Sequence, residues 1–283
     1  MTTTDTPISR TWVARHWSRL RESAVLAPLF GMSWRRLHSP MLFLWGRALQ
    51  SNPRHWPNPV KQQTWRLDPA DIEAWRRDLL LDTSQIERTD LGAGSRRRSG
   101  RPSTIRTKDL ALRSLTPPSD VSALCRWLRC ISPDGKFLEL GTSLGVTAAY
   151  VASSGWCVDT WEGCPQTLAK AREGWSRLGL SDRIQSELGP FQQQLDALTP
   201  AQHWDVIYVD GCHEEHATLN MVDRLAKHAE VAIVVDDIAW SPGMHRAWQA
   251  LQHRPEWRVS FSWKGRGFLI KASHMAPQQH ALA

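Results

Sequence analysis

From residue 135 onward, short runs of apolar residues alternate with stretches in which apolar positions recur at helical spacing. The apolar runs have the length of buried strands and cover residues 137–140, 158–161, 206–209, 231–235, 259–263 and 268–270. Strands that alternate with helices predict a parallel sheet covered by helices on both faces. Only residues 264–267 separate the last two runs, so these are predicted to form a hairpin and to add an antiparallel strand.

The N-terminal part of the chain follows a different pattern. Residues 10–50 have loose helical spacing interrupted by prolines, and the proline-rich residues 52–59 read as a linker. Asp68 and Pro69 are suited to the N-cap and first position of a helix that continues through Leu79. Another helix is expected to begin at Ser119. We therefore predict a mainly helical extension over residues 1–118, an α/β domain over residues 119–272 and a tail over residues 273–283.

The formal net charge of +7 is unevenly distributed along the 283 residues. Residues 1–120 carry 20 Lys and Arg against 11 Asp and Glu, whereas residues 121–283 carry 15 against 17. The basic character therefore belongs to the N-terminal part, where it either attracts anionic partners or is solvated surface. The glycine-flanked run 96–98, three arginines within the loop 90–101, has the same two interpretations.

Cysteine usage and hydropathy indicate the compartment. The five cysteines form no C-x-x-C pair and no zinc-site spacing, which fits a reducing environment. Residues 1–7 lack the apolar core of a signal peptide, and the apolar run 41–45 is too short for a transmembrane helix. The expected location is the cytoplasm.

Residues 137–145 read F-L-E-L-G-T-S-L-G, a buried strand that ends in a glycine turn and leads into a helix. Glycines in such a turn let a ligand approach the main chain closely. The spacing G-x-x-x-G differs from the G-x-G-x-x-G that holds a dinucleotide pyrophosphate, which disfavours a dehydrogenase. Glu139 precedes the turn, where a carboxylate suits a cationic ligand.

The run E-L-G-T-S-L-G-V-T at residues 139–147 resembles the first motif of class I S-adenosylmethionine (SAM) methyltransferases. The resemblance implies a doubly wound, mostly parallel, seven-stranded Rossmann-like sheet in the domain of residues 119–272. It also implies that the glycine turn holds the aminocarboxypropyl part of SAM. The residues assigned to this part of the site are Glu139, Gly141, Thr142, Ser143, Gly145 and Thr147.

Two further strand ends fit the same resemblance. The second strand ends at Glu162 and Gly163, where a carboxylate would accept hydrogen bonds from the ribose hydroxyls. The third predicted strand, residues 183–187, is followed by Gly189 and Phe191, which resemble the family segment beside the adenine ring. Phe191 reads equally well as a core side chain.

Acidic residues follow the fourth and fifth strands. Asp210 stands at the carboxyl end of the fourth strand, where open α/β sheets bind ligands, and the fifth strand ends at Asp236 and Asp237. The cofactor pocket is expected between Glu139 and Asp210, so Asp210 is also a candidate cofactor-binding residue. In metal-dependent O-methyltransferases the positions of Asp210, Asp236 and Asp237 hold a divalent cation, so the resemblance implies Mg²⁺ bound by all three aspartates and an acceptor hydroxyl acidified by the metal. The alternative is that Asp210 and Asp237 cap helices and that Asp236 contacts the cofactor amine.

His213 follows Asp210 by three residues and is the predicted general base. A histidine at the start of a helix could instead be a capping or surface residue. Asp210 and His213 are therefore the candidate catalytic residues.

The exit of the fifth strand, D-D-I-A-W-S-P-G-M at residues 236–244, is more closely similar to bacterial methyltransferases of the family-24 type. Residues 38–40 and 90–95 also resemble segments of that group. The resemblance implies SAM as cofactor and leaves the acceptor open. We predict methyl transfer to oxygen of a small molecule, with Mg²⁺ as a candidate second cofactor.

Two other functions stay open. The basic N-terminal part would suit a methyltransferase of RNA or DNA. However, residues 210–212 read D-G-C and not the N/D-P-P-Y of base-directed enzymes, and the sequence has no Pro-Cys nucleophile. A non-catalytic SAM-binding protein is the other alternative, and the acids after both strands disfavour it. A homo-oligomer is also left open.

Overall fold

The computed structural model describes residues 40–89 and 102–271. The predicted helices before residue 40, the segments 38–39 and 90–95, the arginine run 96–98 and the tail 273–283 lie outside these ranges. No helix within the described ranges is long and apolar enough to cross a lipid bilayer.

The described residues form helices and strands in the following order. The helices are α1 (Pro40–Ala48), α2 (Asn58–Lys61), α3 (Pro69–Leu81), α4 (Thr107–Ser114), α5 (Pro118–Ile131), α6 (Val146–Ser153), α7 (Pro165–Arg177), α8 (Phe191–Ala197), α9 (Glu215–Leu225) and α10 (Pro242–Leu251). The strands are β1 (Gln85–Thr89), β2 (Pro102–Arg106), β3 (Lys136–Leu140), β4 (Cys157–Glu162), β5 (Ile184–Leu188), β6 (Trp204–Val209), β7 (Ala229–Val235), β8 (Trp257–Trp263) and β9 (Arg266–Lys271). Two 3₁₀ helices cover Pro53–His55 and Ala226–His228.

The central sheet has seven strands in the order β5-β4-β3-β6-β7-β9-β8. Neighbouring strands from β5 to β7 are parallel, and β9 is antiparallel to both β7 and β8. The chain winds from β3 to one edge and returns through β6 to the other side of β3, which opens a crevice at the carboxyl ends of β3 and β6. This confirms the doubly wound, mostly parallel fold and the predicted C-terminal hairpin.

Alternation along the strands places apolar side chains on both faces of the sheet. On β3, Phe137 belongs to one buried cluster, whereas Leu138 and Leu140 belong to the cluster on the opposite face. Because side chains alternate along a strand, Glu139 shares the face of Phe137. The same register pairs Glu139 with Tyr208 on the neighbouring strand. An acidic side chain is thereby buried inside the core at the end of β3.

The N-terminal elements pack on this sheet and its helices. Trp75 of α3 lies against Gly174 of α7 so closely that a Cβ atom at Gly174 would be 2.0 Å from the indole. Trp45 of α1 makes an edge contact with Trp127 of α5 at a centroid distance of 5.7 Å. These three tryptophans are therefore core residues.

The structure differs from the sequence interpretation in the segment 52–59 and before α4. The predicted linker contains the 3₁₀ helix Pro53–His55 and the start of α2, and the Arg126 guanidinium lies 4.6 Å from the centre of the Trp56 ring. β1 and β2 pair as an antiparallel ribbon that the helical interpretation did not include. The predicted start of α3 is confirmed, since the Asp68 carboxylate accepts a hydrogen bond from the amide of Ala70.

Candidate active site

The glycine turn after β3 lies against the end of β6. Gly141 has φ 102°, and a Cβ atom there would be 2.1 Å from the carbonyl oxygen of Asp210. Its amide donates to the carbonyl of Trp161 over 3.0 Å, which joins the turn to β4. Gly145 has φ 77° as the N-cap of α6, and its carbonyl accepts from the indole nitrogen of Trp175 at 2.8 Å. Both positions require glycine because φ is positive and a neighbour is in contact.

Glu139 is the buried acid of the site and is only 1% exposed. The Thr160 hydroxyl donates to its carboxylate over 2.8 Å, and the Thr142 hydroxyl lies 2.6 Å from that of Thr160. Burial raises the pKa of Glu139 to about 8; the Thr160 hydrogen bond opposes this shift and the Glu162 carboxylate adds to it. Glu139 is therefore mostly protonated at neutral pH until a cation approaches it.

Glu162 joins the glycine turn to the start of α7. Its Oε2 accepts from the amide of Ser143 at 2.8 Å, and its Oε1 accepts from the amide of Cys164 at 2.9 Å. Burial raises the pKa of Glu162, although these two amides and the charge of Arg88 oppose the shift. Each carboxylate oxygen keeps acceptor capacity for a further hydrogen bond, as ribose recognition requires.

The remaining predicted cofactor residues surround the same strand ends. The amide of Gly189, just after β5, donates to the carbonyl of Glu162 over 2.9 Å. Phe191 is half-buried at the start of α8, and its ring lies 2.5 Å from where a Cβ atom of Gly211 would stand. Thr147 of α6 and Gly163 after β4 are also half-buried. The segment beside β5 therefore borders the residue that follows Asp210.

An extension residue that the sequence interpretation missed contacts the turn. The Ser143 hydroxyl donates to the hydroxyl of Ser114 at the end of α4, over 2.9 Å. Ser143 has φ 48°, an uncommon conformation for a residue other than glycine. The contact from α4 thus helps to hold the turn in this conformation.

The structure brings His213 between two of the predicted acids. Its Nε2 atom lies 3.7 Å from Oδ1 of Asp210 and 4.0 Å from Oδ2 of Asp237. Burial raises the pKa of Asp210 well above its usual range, and three neighbouring carboxylates raise it further: Asp236, Asp237 and Glu139. A proton or cation in this cluster is therefore stabilised by the surrounding negative charge.

The N-cap positions of the nearby helices are not occupied by Asp210, His213 or Asp237. This excludes the alternative in which these residues cap helices. The N-cap of α9 is Glu214, so neither Asp210 nor His213 occupies that position. The N-cap of α10 is Ser241, whose hydroxyl accepts from the amide of Met244 at 3.1 Å, so Asp237 does not cap this helix. The acids after β6 and β7 therefore have no role as helix caps.

The Asp236 carboxylate is engaged by a tyrosine and an arginine. It accepts a hydrogen bond from the Tyr208 hydroxyl, and Nη2 of Arg266 lies 3.3 Å from the same oxygen, Oδ2. Its Oδ1 accepts from the amide of Asp237 at 2.7 Å. Within the described ranges no group of three or more His, Cys, Asp and Glu side chains is arranged to hold a metal ion. The predicted three-aspartate set does not fit a cation in this arrangement, because Asp236 is bound to Arg266.

Comparison with known proteins agrees with the fold. Residues 138–238 match the family model described as a methyltransferase domain. An SAH-bound methyltransferase from Podospora anserina aligns over 95% of this chain and 99% of its own, with 14% identity and a TM-score of 0.51. At that identity the likeness shows the fold.

Two other solved structures align over 56% of this chain and 82% of their own. The cofactor-bound Rv0187 from MTB is 19% identical with a TM-score of 0.49, and the SAM complex of the O-methyltransferase TomG from Streptomyces achromogenes is 17% identical with a TM-score of 0.47. None of the curated proteins compared with the chain matches it. The matched segment contains the glycine turn and the acids after β4, β6 and β7.

Proposed function

We propose that this SAM-dependent class I methyltransferase methylates a hydroxyl oxygen of a small molecule, with His213 as general base. The observation that carries the proposal is the position of His213. Its Nε2 atom lies within 4.0 Å of the Asp210 and Asp237 carboxylates, at the crevice where the predicted cofactor residues converge. A hydroxyl becomes a strong nucleophile when a base removes its proton, which favours oxygen as the acceptor atom.

The cofactor residues divide into three groups by position. Glu139, with the glycine turn, faces the aminocarboxypropyl part and its positive charges. The turn residues in this group are Gly141, Thr142, Ser143 and Gly145, with Thr147 in the helix that follows. Glu162 and Gly163 serve the ribose, and Gly189 and Phe191 border the adenine. The buried Glu139, with its raised pKa, supports this division because a cation is the ligand that would ionise it.

When bound, SAM supplies an activated methyl group on a sulfonium centre. The crevice at the ends of β3 and β6 would hold the acceptor beside the bound cofactor, and such positioning accounts for much of the rate of methyl transfer. His213 would take the proton that an acceptor hydroxyl loses when its oxygen receives the methyl group, and S-adenosylhomocysteine would leave as the other product. The proton then lies beside Asp210. No step is assigned to the predicted Mg²⁺, because Asp236 is held by Arg266 and Tyr208.

The experiment is an acceptor screen with SAM labelled in its methyl group. The purified full chain is incubated with phenols, catechols, aliphatic alcohols, amines and thiols, and separately with RNA and DNA oligonucleotides. We expect labelled product from a hydroxylated small molecule, with S-adenosylhomocysteine in equal amount. Transfer to a nucleic acid or to nitrogen alone would contradict the proposal.

The cytoplasmic location and the oligomeric state stay predictions.

A further inference from the structure

A buried arginine lies beside Asp236, the residue that directly follows β7. Arg266 begins β9 and is 5% exposed, although it lies beside the turn of the C-terminal hairpin. Its Nε donates to the Tyr208 hydroxyl at 3.0 Å, and its Nη2 lies 3.3 Å from Asp236 Oδ2. Its Nη1 lies 3.6 Å from Asp120 Oδ2 on α5. The guanidinium therefore contacts groups from three different elements.

The surroundings fix the orientation of this guanidinium. Asp120 also binds the Lys264 ammonium over 2.5 Å and accepts from the Ser119 hydroxyl at 2.9 Å. The amide of Ile238, just after the Asp236–Asp237 pair, donates to the carbonyl of Gly265 over 3.0 Å. The hairpin turn and the strand end are thus joined through both main chain and side chains. An arginine side chain stays protonated in proteins, so the Arg266 guanidinium carries a permanent positive charge.

The positive charge of Arg266 lies beside one of the predicted metal ligands. Asp236 is one of the three acids that a divalent cation would bind, and its Oδ2 is engaged by Arg266 and Tyr208. A metal bound between Asp210 and Asp236 would lose part of the Asp236 ligand and would approach a fixed positive charge. Coulomb repulsion at such short range is large wherever water is excluded. The arginine and the metal therefore compete for the same carboxylate.

We propose that the Arg266 guanidinium balances the negative charge at the ends of β6 and β7 in place of a divalent cation, so that this site works without a bound metal. The guanidinium neutralises Asp236 and leaves Asp210 and Asp237 to face His213. Arg266 is a positioning residue, since it acts through Asp236 and has no assigned contact with substrate. The proposal concerns the charge of the site and does not depend on which atom of the acceptor is methylated.

The first test is a titration of the full-length wild-type chain with Mn²⁺, followed by electron paramagnetic resonance, with and without SAM. We expect no site tighter than about 1 mM, the weak end of the range for protein oxygen sites. Calorimetry should give the same SAM affinity in EDTA and in excess Mg²⁺. A stoichiometric Mn²⁺ site with micromolar affinity that Asp237→Asn abolishes would overturn the proposal.

The second test removes the arginine. Arg266→Met keeps the length and apolar stem of the side chain but not its charge, and should bind Mn²⁺ at least about tenfold more tightly than wild type as the acids lose their internal counter-ion. Arg246→Met, which removes an exposed arginine of α10, is the matched control and should leave Mn²⁺ binding unchanged. A folded Arg266→Met chain with no gain in Mn²⁺ affinity would contradict the proposal.

A third variant covers the case in which Arg266→Met does not fold. Arg266→Lys keeps the charge and loses the forked geometry. It should resemble wild type in lacking an Mn²⁺ site, even if its melting temperature falls. Tight Mn²⁺ binding by Arg266→Lys would show that positive charge at this position does not exclude a metal, and would overturn the inference. None of these measurements needs the acceptor, so they fail or succeed separately from the proposed methylation.

Discussion

The main-chain amide of Ser143 donates a 2.8 Å hydrogen bond to Oε2 of Glu162, which ties the glycine turn after β3 to the end of β4. The two residues are separated by 19 positions in the chain, and parallel pairing of β3 and β4 brings their strand ends together. The Glu162 carboxylate thus supports the turn, and it is also the predicted acceptor of hydrogen bonds from the ribose of SAM. Its removal should affect both the fold of the turn and the binding of SAM.

We expect Glu162→Ala to lower SAM affinity by about 1.5–3 kcal/mol, the range for hydrogen bonds to a charged group. Glu162→Gln should lose less, because its amide oxygen still accepts a hydrogen bond. Isothermal titration calorimetry measures both affinities. Glu187→Ala, at an exposed position on β5, is the control. Unchanged affinity in Glu162→Ala would remove this residue from the site.

The stability of the free protein should fall as the pH rises, in part because of Glu139. The pKa of this group is about 8 in the fold against an ordinary value of 4.5, so the folded state holds the proton more tightly. Its stabilising contribution is fully present below pH 4.5 and is lost as the pH rises through about 8. At 1.36 kcal/mol per pKa unit the loss is on the order of 5 kcal/mol.

Glu139→Gln should reduce this pH dependence, since glutamine resembles the protonated acid and still accepts from Thr160. Denaturant unfolding at intervals between pH 5 and about pH 9 measures the effect in both proteins. The slope should not vanish, because burial also raises the pKa values of Asp210 and Glu162. Parallel curves for the wild type and the variant would refute the assignment of a raised pKa to Glu139.

His213→Gln should lower kcat on an identified acceptor by at least about a hundredfold, the usual contribution of a general base, while SAM affinity stays the same. His245→Gln replaces an exposed histidine of α10 and should leave kcat unaltered. The measurement is steady-state kinetics with calorimetry on the same preparations. If kcat survives in His213→Gln, the base lies elsewhere.

Gly141→Ala should destabilise the fold by more than about 2 kcal/mol, because the new methyl group would overlap the Asp210 carbonyl and φ is positive. Gly179→Ala is a matched control, since φ there is also positive but no atom lies within 4 Å of the new Cβ. It should lose only about 1 kcal/mol from backbone strain. Chemical denaturation compares the two, and equal losses would show that the contact with Asp210 is unimportant.

The sequence by itself predicted the features that depend on residues close together in the chain. Alternation of apolar runs with helical spacing predicted a parallel sheet covered by helices on both faces, and the four residues between the last two runs predicted the C-terminal hairpin. The doubly wound topology was implied by the family resemblance. The glycine turn and the acids at the strand ends could also be recognised from the sequence, because each directly follows a predicted strand. A ligand site at the carboxyl edge of a parallel sheet is formed by residues that directly follow each strand. Candidate cofactor residues could therefore be proposed without coordinates, and their assignment stays a prediction.

Only the tertiary structure decided which of those residues face one another. Arg266 follows Asp236 by 30 positions and meets it because β9 inserts between β7 and β8, a contact that depends on strand order and on the register Val235↔Gly267. Ser114 reaches Ser143 from an extension with no motif of its own. The partners of a buried carboxylate are set by long-range pairing, and neither periodicity nor spacing along the chain contains that information. The sequence therefore predicted the acids of the candidate site, and only the fold showed that one of them, Asp236, lies 3.3 Å from an arginine side chain.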